Sequence, residues 1–123
     1  MDLTWKYSAR YSPSAPVVPL ELGGVAVDCA VDTGFSGGVM VTFPLFESLG
    51  LLSRLVPEEY QAVMPDSRRV PVYTAQEEVV VGPLRVRTLV HASPRLERKL
   101  VGRGFLRSVV ATLNGPEERL SLS

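Results

Sequence analysis

Cysteine and histidine are nearly absent from this 123-residue chain: each occurs once, as Cys29 and His91. One thiol excludes an internal disulfide framework and a cysteine-based zinc cage. One imidazole excludes a histidine-rich metal site, and any Ser-His-Asp or Cys-His arrangement within the chain would depend on that residue alone. No apolar run approaches the roughly 20 residues that span a bilayer. The opening MDLTWKYSAR carries no apolar stretch of the secretory kind. A soluble, cytoplasmic protein without a membrane partner is therefore expected. Excess charge is missing too. Thirteen acidic and thirteen basic residues cancel, and no basic stripe restores a field for nucleic acid. Isoleucine is absent and asparagine and glutamine are scarce, neither of which bears on function.

What is present is a chain with enough apolar residues to fold. At 46% hydrophobic and zero net charge it is too apolar and too balanced for a disordered segment. Its length suits one domain that buries roughly two-thirds of its unfolded surface. Residues 1–16 read as an arm in which Leu3, Trp5 and Tyr7 alternate with polar neighbours before Ser-Pro-Ser-Ala-Pro breaks regularity. Such an arm either pairs with a partner chain or lies as a strand over the rest, and ordinary packing is the simpler reading. Residues 17–123 read as the domain proper. Val17 to Leu22, Gly23-Gly24 and Val25 to Val31 have the pattern of a strand, a tight turn and a strand. Val39 to Val41 form a further strand. Thr42 and Pro44 open a short helix that Gly50 ends. Gln61 to Met64, the turn Pro65-Asp66-Ser67-Arg68 and Val70 to Thr74 make a second hairpin. Glu77 to Val81, Gly82-Pro83 and Leu84 to Val90 make a third. A charged connection, Pro94 to Lys99, leads to an apolar strand and short helix over Leu100 to Leu106, and a last hairpin spans Val109 to Leu122. Short strands with turn signals every eight to twelve residues, no internal repeat, and one or two short helices predict an all-β barrel or sandwich.

Chemistry concentrates in AVDTGFSGG, residues 30 to 38. An apolar strand delivers an aspartate into a glycine-rich loop, and a carboxylate at the end of a buried strand is costly unless it finds partners. Taken alone, Asp-Thr-Gly is compatible with an aspartate that bonds its own backbone in an Asx-type turn. A second block changes the reading. Ala30-Val31-Asp32-Thr33-Gly34 resembles the active-site loop of the retropepsin-like aspartic proteases. Leu100-Val101-Gly102-Arg103-Gly104-Phe105-Leu106 resembles the same family's block in which a strand enters its one well-formed helix. The resemblance covers residues 17 to 122, with hairpin, acid loop, flap hairpin, further hairpin and final block in the family's order. It is nearest to the small single-domain bacterial members, which read Asp-Thr-Gly-Phe.

The resemblance implies a closed or nearly closed all-β barrel acting as a homodimer, an endopeptidase for extended peptides that needs neither metal nor organic cofactor. Aspartic proteolysis uses two carboxyls that share one proton and hold one water, and like charges so close titrate as a pair. The chain has one Asp-Thr-Gly, so a two-fold axis that brings Asp32 against its own copy would supply the second carboxyl. By the same resemblance Asp32 is the catalytic acid and base. Thr33 bonds across the axis, Gly34 offers its carbonyl to the substrate strand, and Phe35 and Ser36 complete the loop. Gln61 to Tyr73 form the flap, with Met64, Pro65, Asp66, Ser67 and Arg68 at its tip. Gly102 and Arg103 support the loop and the dimer from behind. Three departures stand out. Ser36 and Gly37 occupy positions where viral relatives carry acids, one of which pairs with the arginine, so Arg103 is expected to use a backbone carbonyl or an acid of the other chain. The flap tip lacks the usual glycines. Phe35 is bulky enough to narrow the cleft.

Other residues invite plainer readings. Cys29 is expected to be a buried structural thiol, and His91 a surface or hydrogen-bonded histidine rather than a catalyst. Asp28 shares a strand face with Asp32, but four residues along a strand is about 13 Å, too far for one water to bridge. Arg68-Arg69 is expected to be a solvated tip, able at a flap to steer acidic peptides. The rival reading is a catalytically inactive dimeric binding or scaffold domain that keeps the retropepsin fold. Both predict a dimer, and peptide cleavage separates them.

Overall fold

The computed structural model describes residues 2–123, so that Met1, the first residue of the expected arm, lies outside the description. Two facing pairs of buried apolar residues, Val18 with Cys29 and Leu20 with Val27, begin the barrel. In β1 (Leu3–Lys6), β2 (Val17–Leu22) and β3 (Val25–Val31) the side chains alternate between faces, as the two-residue strand period requires. Val18, Leu20 and Leu22 of β2 point inward, as do Val27 and Cys29 of β3, while Pro19 and Glu21 face out. The β2–β3 turn is Gly23-Gly24, both with positive φ (55° and 80°), the conformation that a two-residue hairpin asks of its central positions.

After β4 (Val39–Met40), the helix α1 (Phe43–Ser48) places Pro44 in its first turn and is followed by a 3-10 turn over Leu51–Arg54. Thr42 takes the N-cap position as expected, but its hydroxyl makes no capping bond. The hairpin strands are β5 (Tyr60–Val63), β6 (Arg69–Val81) and β7 (Leu84–Ala92). They are followed by β8 (Leu100–Val101), α2 (Arg103–Leu106), β9 (Ala111–Asn114) and β10 (Arg119–Leu122). One expectation needs correction here. Val70 to Thr74 and Glu77 to Val81 are not two strands but one thirteen-residue strand, β6. Nothing between them breaks a strand, and β7 pairs with β6 without interruption from Tyr73↔Ala92 to Val81↔Leu84. The buried neighbours Thr74 and Ala75 disturb the alternation and hide this continuity from a period-two reading.

Six strands in the order β2-β3-β8-β4-β7-β6 close into a barrel, because β6 returns to β2 through Leu22↔Val79 and Glu21↔Val80. Closure leaves no free edge in that ring. β5 is attached outside it, on β6. A second sheet, β1-β10-β9, lies against the barrel. Trp5 sits opposite Leu120 in its register, and Leu3, Trp5 and Tyr7 pack on the same core that buries Leu120 and Leu122 completely. The strand of the N-terminal arm thus pairs within its own chain. Phe46 of α1 and Phe105 of α2 are the largest fully buried side chains and plug the core beside the barrel. Phe105→Ala is expected to cost about 3–5 kcal/mol, read as a fall in the urea midpoint at unchanged slope.

Candidate active site

β3 and β4 follow one another in the chain but do not pair. β8 lies between them, parallel to β3 (Ala30↔Leu100, Val31↔Val101) and antiparallel to β4 (Val39↔Val101). The connecting loop, residues 32–38, must therefore cross the end of β8, and backbone bonds fasten it there. Asp32 N–H donates to the Val101 carbonyl (2.9 Å), Gly102 N–H to that of Gly38 (2.8 Å), Arg103 N–H to that of Phe35 (2.9 Å) and Gly104 N–H to that of Gly37 (2.9 Å). So close an approach leaves no room for side chains. A Cβ on Gly102 would lie 2.6 Å from the Phe35 carbonyl oxygen and would collide with that of Gly37, and one on Gly104 would lie 2.9 Å from the latter. The two motifs of the sequence are the two halves of this one junction.

Asp32 emerges at the end of β3 half-buried. Its Oδ1 accepts the Gly34 N–H at 2.9 Å, and its carbonyl accepts the Phe35 N–H at 3.1 Å. This is the local turn that an Asx reading anticipates. Among the described residues it pairs with no cation. The carboxylate opens on a cleft of about 360 Å³ whose floor is the loop, whose roof is the β5–β6 hairpin and whose side wall runs from Leu96 to Leu100. Among the described residues, Asp32 is the only acid lining it.

The expected site residues divide as follows. Asp32, Gly34, Phe35, Ser36, Met64, Pro65 and Arg103 line the cleft together. Thr33 is exposed on the outer side of the loop, and Gly102 is buried beneath it. Asp66, Ser67 and Arg68 form the hairpin tip but do not line the cleft. There Arg68 Nε binds Asp66 Oδ2 at 2.6 Å, and Ser67 takes a positive φ of 69°. Arg68 is thus held by its own tip. Arg103 uses a backbone carbonyl, as expected where no acid follows the motif: its Nη1 donates to Thr33 O at 3.0 Å. Phe35 does not simply fill the cleft, since its ring also turns edge-on against His91, 5.8 Å between centroids. Cys29 is fully buried, and burial pushes its thiol up to about 12, which leaves it inert as a nucleophile. No group of three or more His, Cys, Asp and Glu side chains among the described residues is arranged to hold a metal.

His91 is the residue the sequence undervalued. β7 continues past Val90, which carries His91 inward. Only 3% of it is exposed. Nδ1 is 2.8 Å from Thr74 Oγ1, while Nε2 has no hydrogen-bond partner. Phe35 of the loop and Tyr60 of β5 both meet the ring edge-on. The imidazole therefore fills the space between acid loop and flap base. Desolvation lowers its pKa to about 4. The wall residues Leu96, Arg98 and Leu100 were also missed. Their signal was an alternation inside what reads as a charged connection.

Comparison with known proteins places the fold. No family model matches the sequence, and no curated protein matches it either. Among solved structures, a retropepsin-like aspartic protease from Rickettsia conorii superposes with a TM-score of 0.76 at 16% identity, over 99% of this chain and 89% of that one. EIAV protease in complex with the inhibitor HBY-793 superposes with a TM-score of 0.59 at 13% identity, over 77% of this chain and 88% of that one. The chain has the retropepsin-like fold.

Two outcomes follow from the junction. Gly102→Ala is expected to cost roughly 1–3 kcal/mol by overpacking, and an unchanged urea midpoint would contradict the close approach described. For His91, the unfolded chain takes up a proton near pH 6.5, whereas the folded chain resists it until about 4. Stability is therefore lost as pH falls through that window, by an amount on the order of 3 kcal/mol. His91→Gln should flatten the difference between urea unfolding at pH 7 and at pH 4.5. Equal pH dependence in the two proteins would refute the assignment.

Proposed function

We propose that the chain is an aspartic endopeptidase, acting on extended peptides as a homodimer with one site on its two-fold axis. The observation that carries this reading is that Asp32 lies on the floor of a cleft roofed by a hairpin, in a retropepsin-like fold, with no second carboxylate of its own chain lining that cleft. One carboxyl cannot at once accept a proton from water and donate one to a carbonyl. A second Asp32, brought in by symmetry, completes the pair. Thr33 and Gly34 are exposed, as residues that meet a second copy must be in the isolated chain.

In this mechanism the two carboxyls share a proton, because like charges at such range do not both ionise. The ionised member takes a proton from the bound water as it attacks the scissile carbonyl carbon. The protonated member hydrogen-bonds the carbonyl oxygen as charge develops there. Collapse of the tetrahedral intermediate transfers a proton to the leaving amine, breaks the C–N bond and returns the pair to its starting state. The Gly34 N–H fixes the carboxylate's orientation through Oδ1, so that little reorganisation is needed at the moment of attack. Arg103, at the edge of the same cleft and bonded to the Thr33 carbonyl, holds the loop in place. The β5–β6 hairpin covers the peptide and limits water.

The deciding experiment measures peptide cleavage at acidic pH together with sedimentation. The native chain should sediment as a dimer and cleave. Asp32→Asn, which keeps the shape and loses the ionisable group, should lower kcat/KM by at least about 10³-fold while retaining the native melting curve. Cleavage that survives this substitution, or activity in a stable monomer, would remove the proposal.

A further inference from the structure

The cleft's side wall has a regular pattern that the proposed mechanism does not use. Leu96, Arg98 and Leu100 all line it. They stand at every second position of residues 96–100, the spacing that puts side chains on one face where a chain runs straight. The stretch is anchored at both ends. Leu96 N–H donates to the Ser93 carbonyl, the Lys99 carbonyl accepts the Ala30 N–H at 3.0 Å, and Leu100 is paired in β8 with Ala30. Glu97 and Lys99, at the intervening positions, do not line the cleft. A single cation thus stands between two leucines on a wall that faces the peptide channel.

That cation has no carboxylate. Arg54, Arg68, Arg85 and Arg119 each pair with an acid, whereas Arg98 pairs with none among the described residues. Arg103, the other arginine at the cleft, is occupied with the Thr33 carbonyl. A guanidinium stays charged at any relevant pH and offers a planar fork that fits a carboxylate. When a peptide covers the wall, water around Arg98 is displaced. A neutral side chain there would leave the charge poorly solvated, while a carboxylate would replace the lost hydrogen bonds with charge-assisted ones. Arg98 is exposed in the isolated chain, and a peptide laid against Leu96 and Leu100 would cover it, where the attraction is stronger than in open solvent.

We infer that Arg98 determines specificity in this cleft: it receives an acidic side chain of the bound peptide, aspartate or glutamate, seated between Leu96 and Leu100. The inference rests on the endopeptidase reading for the nature of its ligand, an extended peptide. It adds the class of residue selected. A two-fold axis repeats the wall, so the preference would recur at symmetrically related positions on either side of the cleaved bond.

The test uses one parent peptide with Glu, Gln or Lys substituted at each position in turn, assayed at about pH 6, where a glutamate side chain is ionised. The native protein should favour Glu over Gln in kcat/KM by about tenfold at one position or a symmetric pair of positions. Arg98→Gln should bring that ratio close to one, and Arg98→Glu should transfer the preference to Lys. A Glu-to-Gln ratio near one at every position in the native protein, or a preference that survives Arg98→Gln, would overturn the inference. Binding provides a readout separate from cleavage. The same peptides, fluorescently labelled, are titrated by polarisation against the Asp32→Asn protein with and without Arg98→Gln. If nothing is cleaved but the Glu peptide binds about tenfold tighter than the Gln peptide only when Arg98 is present, the endopeptidase reading fails and Arg98 keeps its role. If peptides bind without that difference, the role of Arg98 is lost whatever the catalytic outcome.

Discussion

The insertion of β8 between β3 and β4 is the constraint from which the site follows. Two strands joined by a seven-residue loop cannot lie either side of a third unless the loop passes over its end, and that crossing is where Asp32 is delivered. Four main-chain bonds of 2.8–2.9 Å hold the crossing in place. Because they join backbone to backbone, the position of the carboxylate depends on no single side chain. It depends on the absence of several: Gly102 and Gly104 are small because the loop lies directly on them. A group that must meet a partner within hydrogen-bond range gains from rigid support of this kind.

Much of this architecture was legible in the sequence. Gly23-Gly24 between two alternating apolar runs fixed the first hairpin, and Pro65-Asp66-Ser67-Arg68 marked the tip of the second. Asp-Thr-Gly and the Gly-Arg block, each ambiguous alone, pointed to one fold because they came in the right order, and the structure joins them in one junction. Other features were not legible, for identifiable reasons. β6 was divided because Thr74 and Ala75, adjacent in sequence, are both buried, and strict alternation fails where a strand is covered on both sides. His91 was assigned to the surface or to a satisfied environment because the extent of β7 depends on its long partner, and pairing partners are a tertiary property. The wall at 96–100 hides in the sequence because most of it falls in the charged stretch Pro94 to Lys99, where Arg95, Glu97, Arg98 and Lys99 outnumber the single Leu96.

The chemistry proposed and the packing observed set opposite demands on proton concentration. A carboxyl pair that shares a proton needs the proton to be available, and low pH favours that. The imidazole between Phe35 and Tyr60, with Nε2 unbonded, resists it. A charge introduced there would lie among aromatic rings, at the contact between loop and flap base. In the proposed enzyme, acidification that favours the carboxyl pair would at the same time weaken the packing around His91 at the contact between loop and hairpin.

The unbroken run of β6 makes flap and barrel a single mechanical part. From Arg69 to Val72 its ladder partner is β5; from Tyr73 onward it is β7, on the opposite edge. At the handover the strand exchanges one neighbour for another, and this crease is its natural fulcrum. The residues next to it are Thr74, bonded to His91, and Tyr73, whose ring leans on Phe43 of α1. Any swing of the hairpin against the barrel would bend the strand at this crease and strain these contacts, so resistance at the tip would originate some distance away, in an aromatic seam at the barrel wall.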